Sequence, residues 1–328
     1  MEEIAVIGAG AWGTTLAILL FQKGKRVILY EKFPDYGRIL EEKRENPKFL
    51  PGFYIPEGLK ITSSLEETKS AGAFILVTPS FVFRETGASL KEAGIRGPFL
   101  IATKGLEEGT GCRMSEILLS EAGEEVPFAV LSGPTIAREI ASGLPASAVC
   151  AGKDIALVQM FQEMVSSEKF RIYTTSDPPG VELGGALKNP LAIAAGIAEG
   201  LGFGENTRAA LLCRGLTEMA RLAKALGARE RTIFGLSGLG DLIVTASSPF
   251  SRNHRFGLAV GQGEDPSVLI ARSESVVEGY YTVRPALMLA EKNSLEMPIM
   301  AEVSEILFDG KNPEQAVQDL MSRPLKSE

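Results

Sequence analysis

The chain has 328 residues, of which 45% are hydrophobic and 23% charged, and its formal net charge is −7. That length suits two domains better than one core, and the acidic balance argues against nucleic acid, whose binding needs a basic footprint. The apolar runs, such as Leu16 to Phe21, fall short of the ~20 residues of a membrane helix, so no stable membrane insertion is expected. An anionic substrate stays open, because salt screens charges lying more than roughly 8 Å from a cleft.

Met1 is followed directly by Glu2, Glu3 and a strand-like run, which leaves no basic segment of the kind that begins a signal peptide. The three cysteines (Cys112, Cys150, Cys213) show no close pairing. They read as buried, reduced thiols of a cytoplasmic protein rather than as a disulfide framework or zinc site. The single histidine, His254, has no evident partner nearby and reads as structural; no metal site is expected.

The first half alternates strand-like and helical stretches. Strands are expected at Glu3–Ile7, Arg26–Glu31, Ala73–Thr78, Pro98–Ala102, Pro127–Leu131, Ala146–Cys150 and Arg171–Thr174. Several are almost continuously apolar, as in Phe74-Ile75-Leu76-Val77, which suits a sheet covered on both faces. The pattern predicts a doubly wound parallel α/β sheet. Asp177-Pro178-Pro179-Gly180 is the best linker in the chain. Beyond it, helical periodicity dominates, as in Leu211–Leu226, Val283–Lys292 and Ala301–Leu307, with stops at Gly227 and Gly310. The expected division is an α/β domain over residues 1–178 and an all-α domain over 179–328.

Gly8-Ala9-Gly10-Ala11-Trp12-Gly13 lies between the first strand and the helical run Thr14–Lys23. In that setting it reads as a dinucleotide fingerprint. Gly8 permits the tight turn, Gly10 lets the backbone approach a pyrophosphate, and Gly13 lets helix and strand pack closely. The helix start at Ala11 offers unpaired N–H groups and a positive dipole end to the phosphates. Glu31, ending the second strand, is placed to accept from ribose hydroxyls and leans towards NAD(H). Lys32 beside it would instead suit the 2′-phosphate of NADP(H), and both coenzymes stay open.

Four further segments carry candidate chemistry. Lys104, in Ala102-Thr103-Lys104-Gly105-Leu106-Glu107, follows a strand's carboxyl end, the edge at which open α/β sheets bind ligands. Ser132-Gly133-Pro134-Thr135 makes a glycine turn one strand later, where Gly133 and Thr135 offer donors. Gly184-Gly185-Ala186-Leu187-Lys188-Asn189-Pro190 sets a lysine in an apolar helix, where lysine seldom lies buried without a partner. Pro190 removes a donor and crowds the carbonyl of Ala186, so a kink is expected there. Gly238-Leu239-Gly240-Asp241 then supplies a carboxylate, and Ser251-Arg252-Asn253 a cluster of donors.

These motifs, together with Val276-Val277-Glu278-Gly279, occur in one order over almost the whole chain. Together they resemble the bacterial-type NAD(P)-dependent glycerol-3-phosphate dehydrogenase family. The resemblance implies a Rossmann domain followed by a helical domain of the 6-phosphogluconate-dehydrogenase type. It implies interconversion of sn-glycerol 3-phosphate and dihydroxyacetone phosphate, supplying phospholipid synthesis. It implies Lys188 as catalytic acid/base and Lys104, Gly133, Thr135, Lys188, Asp241, Ser251, Arg252 and Asn253 as substrate contacts. Trp12, Lys32, Lys104, Ala137, Arg252, Val276 and Glu278 would touch the cofactor. The expected partner is a small phosphorylated substrate, with a homodimer left open. Pro190 and the pair Glu31-Lys32 depart from the pattern.

These residue types suit that chemistry. Oxidising a secondary alcohol needs a base, and a lysine serves if its pKa, ordinarily ~10.4, is drawn towards the working pH. Burial and a nearby Lys104 would lower it, while Asp241 would oppose the shift or orient the amine. The fork of Arg252 suits a phosphate. Two other readings remain: a dehydrogenase of the same architecture acting on a small hydroxy acid, and a nucleotide-sensing protein without turnover.

Overall fold

The computed structural model describes residues 3–325; Met1 and Glu2, on which the signal-peptide expectation leans, lie outside them. The chain divides into two compact units, one of residues 1–104 and 112–182, the other of residues 105–111 and 183–328.

The first unit runs β1 (Glu3–Ile7), α1 (Ala11–Gln22), β2 (Arg26–Tyr30), α2 (Pro34–Lys43), β3 (Glu45–Asn46), β4 (Leu50–Tyr54), β5 (Lys60–Thr62), β6 (Ala73–Leu76), α3 (Phe83–Glu92), β7 (Phe99–Ile101), α4 (Met114–Ala122), β8 (Phe128–Ser132), α5 (Ala137–Ala141), β9 (Ala146–Ala151), α6 (Ile155–Val165) and β10 (Phe170–Thr175). Eight strands form one Rossmann-type sheet in the order β10-β9-β8-β7-β6-β1-β2-β5. The strand order reverses between β1 and β6, the position at which such sheets bind ligands. Ile7, at the end of β1, stands opposite Tyr30 on one side and Leu76 on the other.

Alternate residues of β1 feed different cores, which explains its unbroken apolar run. Ile4 and Val6 pack with Leu16, Leu20 and Leu29, whereas Ala5 and Ile7 pack with Phe74, Phe99 and Ile117. Each such side chain, fully buried, contributes roughly 1.5–3 kcal/mol.

The parallel expectation needs one correction. β8 and β9 pair antiparallel, so β9 and β10 run against the other strands. Returning along a five-residue strand at ~3.3 Å per residue would need a helix of about eleven residues at 1.5 Å each. The helix between them, α5, has five, and the chain turns back instead. The reading of the sequence also missed β3 and β4, which pair only with each other, and the edge strand β5. All are short and lack an apolar alternation.

The second unit is helical: α7 (Pro178–Gly200), α8 (Glu205–Ala225), α9 (Glu230–Ile233), α10 (Asp241–Ser247), α11 (Arg252–Gly261), α12 (Pro266–Arg272), α13 (Glu278–Lys292), α14 (Pro298–Phe308) and α15 (Pro313–Met321). The first turn of α7, through Glu182, groups with the first unit. The expected linker at 177–180 is therefore the start of α7. Proline is tolerated in a helix's first turn because the N–H it lacks would have had no partner there. Asp177 caps that start by accepting from the N–H of Gly180 at 3.2 Å. The helix continues through Pro190. The core gathers Leu187, Leu191, Met219, Leu222, Val283 and Met300, together with Leu106 from the short segment 105–111. Gly227 and Gly310 take positive φ (+82° and +71°) at the ends of α8 and α14, as expected for C-terminal stops.

Two close contacts set the spacing of α7 and α11. A Cβ built on Gly196 would lie 2.1 Å from the carbonyl oxygen of His254, and one on Gly257 would lie 2.1 Å from that of Ile193. Only glycine lets α7 and α11 meet at that distance. Among the described residues no single helix is long and apolar enough to cross a membrane. Of the cysteines, Cys150 is buried, Cys112 half-buried and Cys213 exposed on α8, so burial of all three does not hold.

Candidate active site

The glycine loop after β1 has three glycines with different reasons to be glycine. Gly8 has φ +115°, and a Cβ there would meet the carbonyl oxygen of Val77 at 2.9 Å. At Gly13 a Cβ would fall 1.9 Å from the carbonyl oxygen of Gly8. Gly10 is different. It has φ −71°, and a Cβ there would meet no protein atom within 4 Å. Neither strain nor packing requires a glycine at position 10, and its open side leaves the backbone accessible to a ligand. The loop is held from below by Asn46, fully buried. Its amide donates to the Ala9 carbonyl and the Thr14 hydroxyl, both at 2.8 Å, and its oxygen accepts from Tyr36 at 2.6 Å. Sequence reasoning missed Asn46; its only signal was a polar residue beside a proline.

Trp12 stands in the first turn of α1, edge-on to Phe170 at 6.0 Å. The carbonyl of Ala137 accepts from the Thr15 hydroxyl at 3.3 Å, tying the start of α5 to α1. Glu31 is buried, and one carboxylate oxygen accepts from the Phe33 N–H at 3.0 Å. Its other oxygen makes no hydrogen bond among the described residues. Burial raises the carboxyl pKa, with the Phe33 N–H and Lys48 opposing. Lys32 pairs instead with Glu85 at 2.6 Å, and both of these side chains are exposed.

Lys104 follows β7. Its ammonium donates to the Gly133 carbonyl at 2.9 Å and to the Thr135 hydroxyl at 3.2 Å. The lysine thus gathers the two residues expected with it. Gly133 has φ +151°, and a Cβ there would come within 2.8 Å of the Ala148 backbone. The hydroxyl of Ser132, just before it, is buried with no hydrogen-bond partner among the described residues.

Lys188 lies on α7 with 6% of its surface exposed, and Asp241, which opens α10, with 2%. The amine donates to Asp241 Oδ1 at 3.0 Å and to Thr245 Oγ1 at 2.6 Å. Thr245 in turn donates to the same carboxylate oxygen at 3.1 Å. Thr245 was not singled out from the sequence. Its position one turn after Asp241, on the same helix face, was the available signal. A π-helical turn, Leu236–Gly240, delivers Asp241 to this place. Gly184 lets the turn approach α7, since a Cβ there would meet the Ser237 carbonyl at 2.8 Å.

Ser251 caps α11, its hydroxyl accepting from the His254 N–H at 3.2 Å. Arg252, at the helix start, is exposed in an open recess. Surrounding protein lowers its pKa, Glu278 opposes the shift and Arg255 adds to it. Asn253 is buried. It donates to Asn189 Oδ1 at 2.9 Å and accepts from the Gly279 N–H at 2.9 Å. It therefore joins α7 to the start of α13, where Glu278 stands and which Val276 precedes. His254 is buried, its Nε2 lying 3.1 Å from Glu199. No group of metal-binding side chains occurs among the described residues.

A dinucleotide-type sheet with an open glycine loop, followed by a helical unit holding a buried lysine–aspartate pair, is the layout of a two-domain dehydrogenase. Residues 3–158 match the family described as NAD-dependent glycerol-3-phosphate dehydrogenase N-terminus, and residues 177–318 match the C-terminus of the same family. The chain belongs to the NAD-dependent glycerol-3-phosphate dehydrogenase family. The glycerol-3-phosphate dehydrogenase (NAD(P)+) of Rhodospirillum rubrum is 44% identical to it over 330 residues, covering 100% of this chain and 94% of the relative. The crystal structure of glycerol-3-phosphate dehydrogenase from Coxiella burnetii superposes with a TM-score of 0.94 at 39% identity, covering 98% of this chain and 99% of that one. A ketopantoate reductase of Ralstonia eutropha JMP134 gives a TM-score of 0.61 at 13% identity, covering 96% of this chain and 99% of that one; the likeness there is of fold alone.

Proposed function

We propose that the chain interconverts sn-glycerol 3-phosphate and dihydroxyacetone phosphate with NAD(H) or NADP(H), supplying glycerol 3-phosphate for phospholipid synthesis in a reducing cytoplasm. The observation that carries the reading is the buried set Lys188–Asp241–Thr245 in a chain that also has the open glycine loop. A bound nicotinamide would supply the hydride acceptor for the alcohol carbon in one direction and the hydride donor for the carbonyl carbon in the other.

Lys188 handles the proton. In the oxidation its neutral amine takes the hydroxyl proton as the hydride leaves. In the reduction its ammonium gives that proton to the carbonyl oxygen. Asp241 and Thr245 fix the amine through the two hydrogen bonds it donates, so the proton moves at a defined atom. Arg252 holds the substrate phosphate with a planar fork, with Ser251 and Asn253 setting the start of its helix. Lys104, Gly133 and Thr135 offer further substrate contacts. Gly8, Gly10, Ala11 and Gly13 cradle the coenzyme phosphates, while Trp12, Ala137, Val276 and Glu278 line its path. Glu31 accepts from the ribose and favours NAD(H).

The test is purified protein with dihydroxyacetone phosphate and either reduced coenzyme, followed at the nicotinamide absorbance. Oxidation is expected with both and faster with NADH. No turnover with dihydroxyacetone phosphate, or faster turnover with a small keto acid, would remove the assignment. A strong preference for NADPH would remove Glu31 alone.

A further inference from the structure

His254, the chain's one histidine, is 5% exposed and stands in the first turn of α11, two residues after Arg252. Three of its groups are held. Its N–H donates to the Ser251 hydroxyl at 3.2 Å. Its carbonyl oxygen lies against α7, where a Cβ built on Gly196 would come within 2.1 Å of it. Its Nε2 lies 3.1 Å from Oε2 of Glu199, in the last turn of α7. Arg208 of α8 donates to that same oxygen at 3.1 Å. An ionised carboxylate only accepts, so Nε2 of the imidazole carries a hydrogen and donates it to Glu199. The other ring nitrogen, Nδ1, is buried with no hydrogen-bond partner among the described residues. A side chain that merely filled this space would be apolar and would leave no buried acceptor unmet. The histidine is therefore explained by the one bond its ring makes, between the end of α7 and the start of α11. Arg252 itself is exposed, and the direction in which its side chain leaves the helix follows the backbone of that first turn.

We propose that His254 is a positioning residue: through Nε2 and Glu199 it fixes the first turn of α11, and with it the direction in which Arg252 reaches the substrate phosphate. The proposal rests on the reading of Arg252 as the phosphate contact and adds two residues, His254 and Glu199, that touch neither substrate nor coenzyme. Ser251 holds the same turn from the backbone side, and the imidazole holds it from α7.

The experiment is steady-state kinetics with dihydroxyacetone phosphate and with dihydroxyacetone, which lacks the phosphate. It compares wild-type protein with His254→Leu, His254→Gln, Glu199→Ala, Arg252→Ala and the double variant of His254→Leu with Arg252→Ala. His254→Leu and Glu199→Ala are expected to raise KM for dihydroxyacetone phosphate by about threefold to thirtyfold, the scale of coupling within one hydrogen-bond network, with kcat close to wild type. His254→Gln sets an amide nitrogen near the place of Nε2 and should recover most of that loss. The kcat/KM for dihydroxyacetone should not move, and His254→Leu should add nothing once Arg252 is alanine. Glu199 is exposed, so Glu199→Ala keeps the test decisive should the buried substitution disturb folding. Equal losses with the two substrates, or a full further loss in the Arg252→Ala background, overturn the proposal and leave His254 to the fold. So does an unchanged KM in both His254→Leu and Glu199→Ala when Arg252→Ala raises it. Arg252→Ala leaving KM for dihydroxyacetone phosphate unchanged overturns the reading of Arg252 itself, and this proposal with it.

Discussion

A primary amine surrounded by apolar helix is held in one place by two oxygens, and the proposed proton transfer depends on that placement. Lys188 donates to both Asp241 and Thr245, and Thr245 donates to the same oxygen of Asp241. Lys188→Ala should lower turnover by ~10²-fold or more, the usual scale for a lost acid–base group. NADH affinity should stay near wild type, because the glycine loop belongs to the other unit. Thr245→Val keeps the shape and removes one oxygen, so it should lower kcat more than it raises KM. Steady-state kinetics with fluorescence titration of NADH checks both. Normal turnover in Lys188→Ala would take the lysine out of the chemistry. The lysine was legible in the sequence because a charged side chain inside an apolar helix needs an explanation, and the aspartate because it ends the Gly238-Leu239-Gly240-Asp241 motif that carries the family resemblance. Thr245 was not, since a threonine in a helix carries no such anomaly. Asn46 was missed for a similar reason: its place beneath the glycine loop depends on long-range folding.

At the scale of elements, what could be read from the sequence was the part dictated by local period. β1 fell where expected to the residue and the other expected strands within two residues, whereas α8 and α13 begin six and five residues before the expected helical stretches at 211–226 and 283–292. Where tertiary context decides, the reading failed. Two prolines and a glycine spelled a linker, yet Asp177 caps them into the first turn of α7. The reversal at β9 was invisible because strand direction leaves no mark on composition. The glycines of α7 and α11 are the converse case. Gly196 and Gly257 look like poor helix residues, and their reason emerges only when the two helices touch. Gly257→Ala would drive a methyl towards the Ile193 carbonyl, 2.1 Å from the ideal Cβ position, and overpacking of this kind costs about 1–3 kcal/mol or more. Gly204→Ala, at a position where a Cβ meets nothing, should cost ~1 kcal/mol or less. Urea unfolding compares them; equal midpoints would mean that α7 and α11 separate without penalty.

Across the whole molecule, charge burial ties stability to pH. Glu218 of α8 accepts from the N–H groups of Ile299 at 2.8 Å and Met300 at 3.2 Å, at the start of α14. Desolvation raises its carboxyl from 4.5 to about 7, against the pull of those two N–H groups. Its folded pKa lies above its unfolded one. The contribution is therefore fully present below pH 4.5 and is lost as pH rises through about 7, with a span of ~3 kcal/mol. Thermal unfolding from pH 5 to 8 should show a declining Tm in the wild type and a flatter profile in Glu218→Gln, whose neutral amide does not titrate. Parallel profiles would mean that the carboxylate is solvated well enough to ionise normally. The seven residues 105–111 follow the lysine expected to meet substrate, yet they group with the helical unit, and their Leu106 sits in that unit's core. The polypeptide thus leaves its first unit at Lys104, returns at Cys112 and departs again after Glu182. No single cut through the gene separates the halves intact. A fragment ending at Glu182 would carry Leu106 with nowhere to bury it, and a fragment beginning at Leu183 would have a hole of that leucine's shape. Exchanging halves between relatives would therefore require the short segment to travel with the helical half, so recombination here must respect three junctions rather than one.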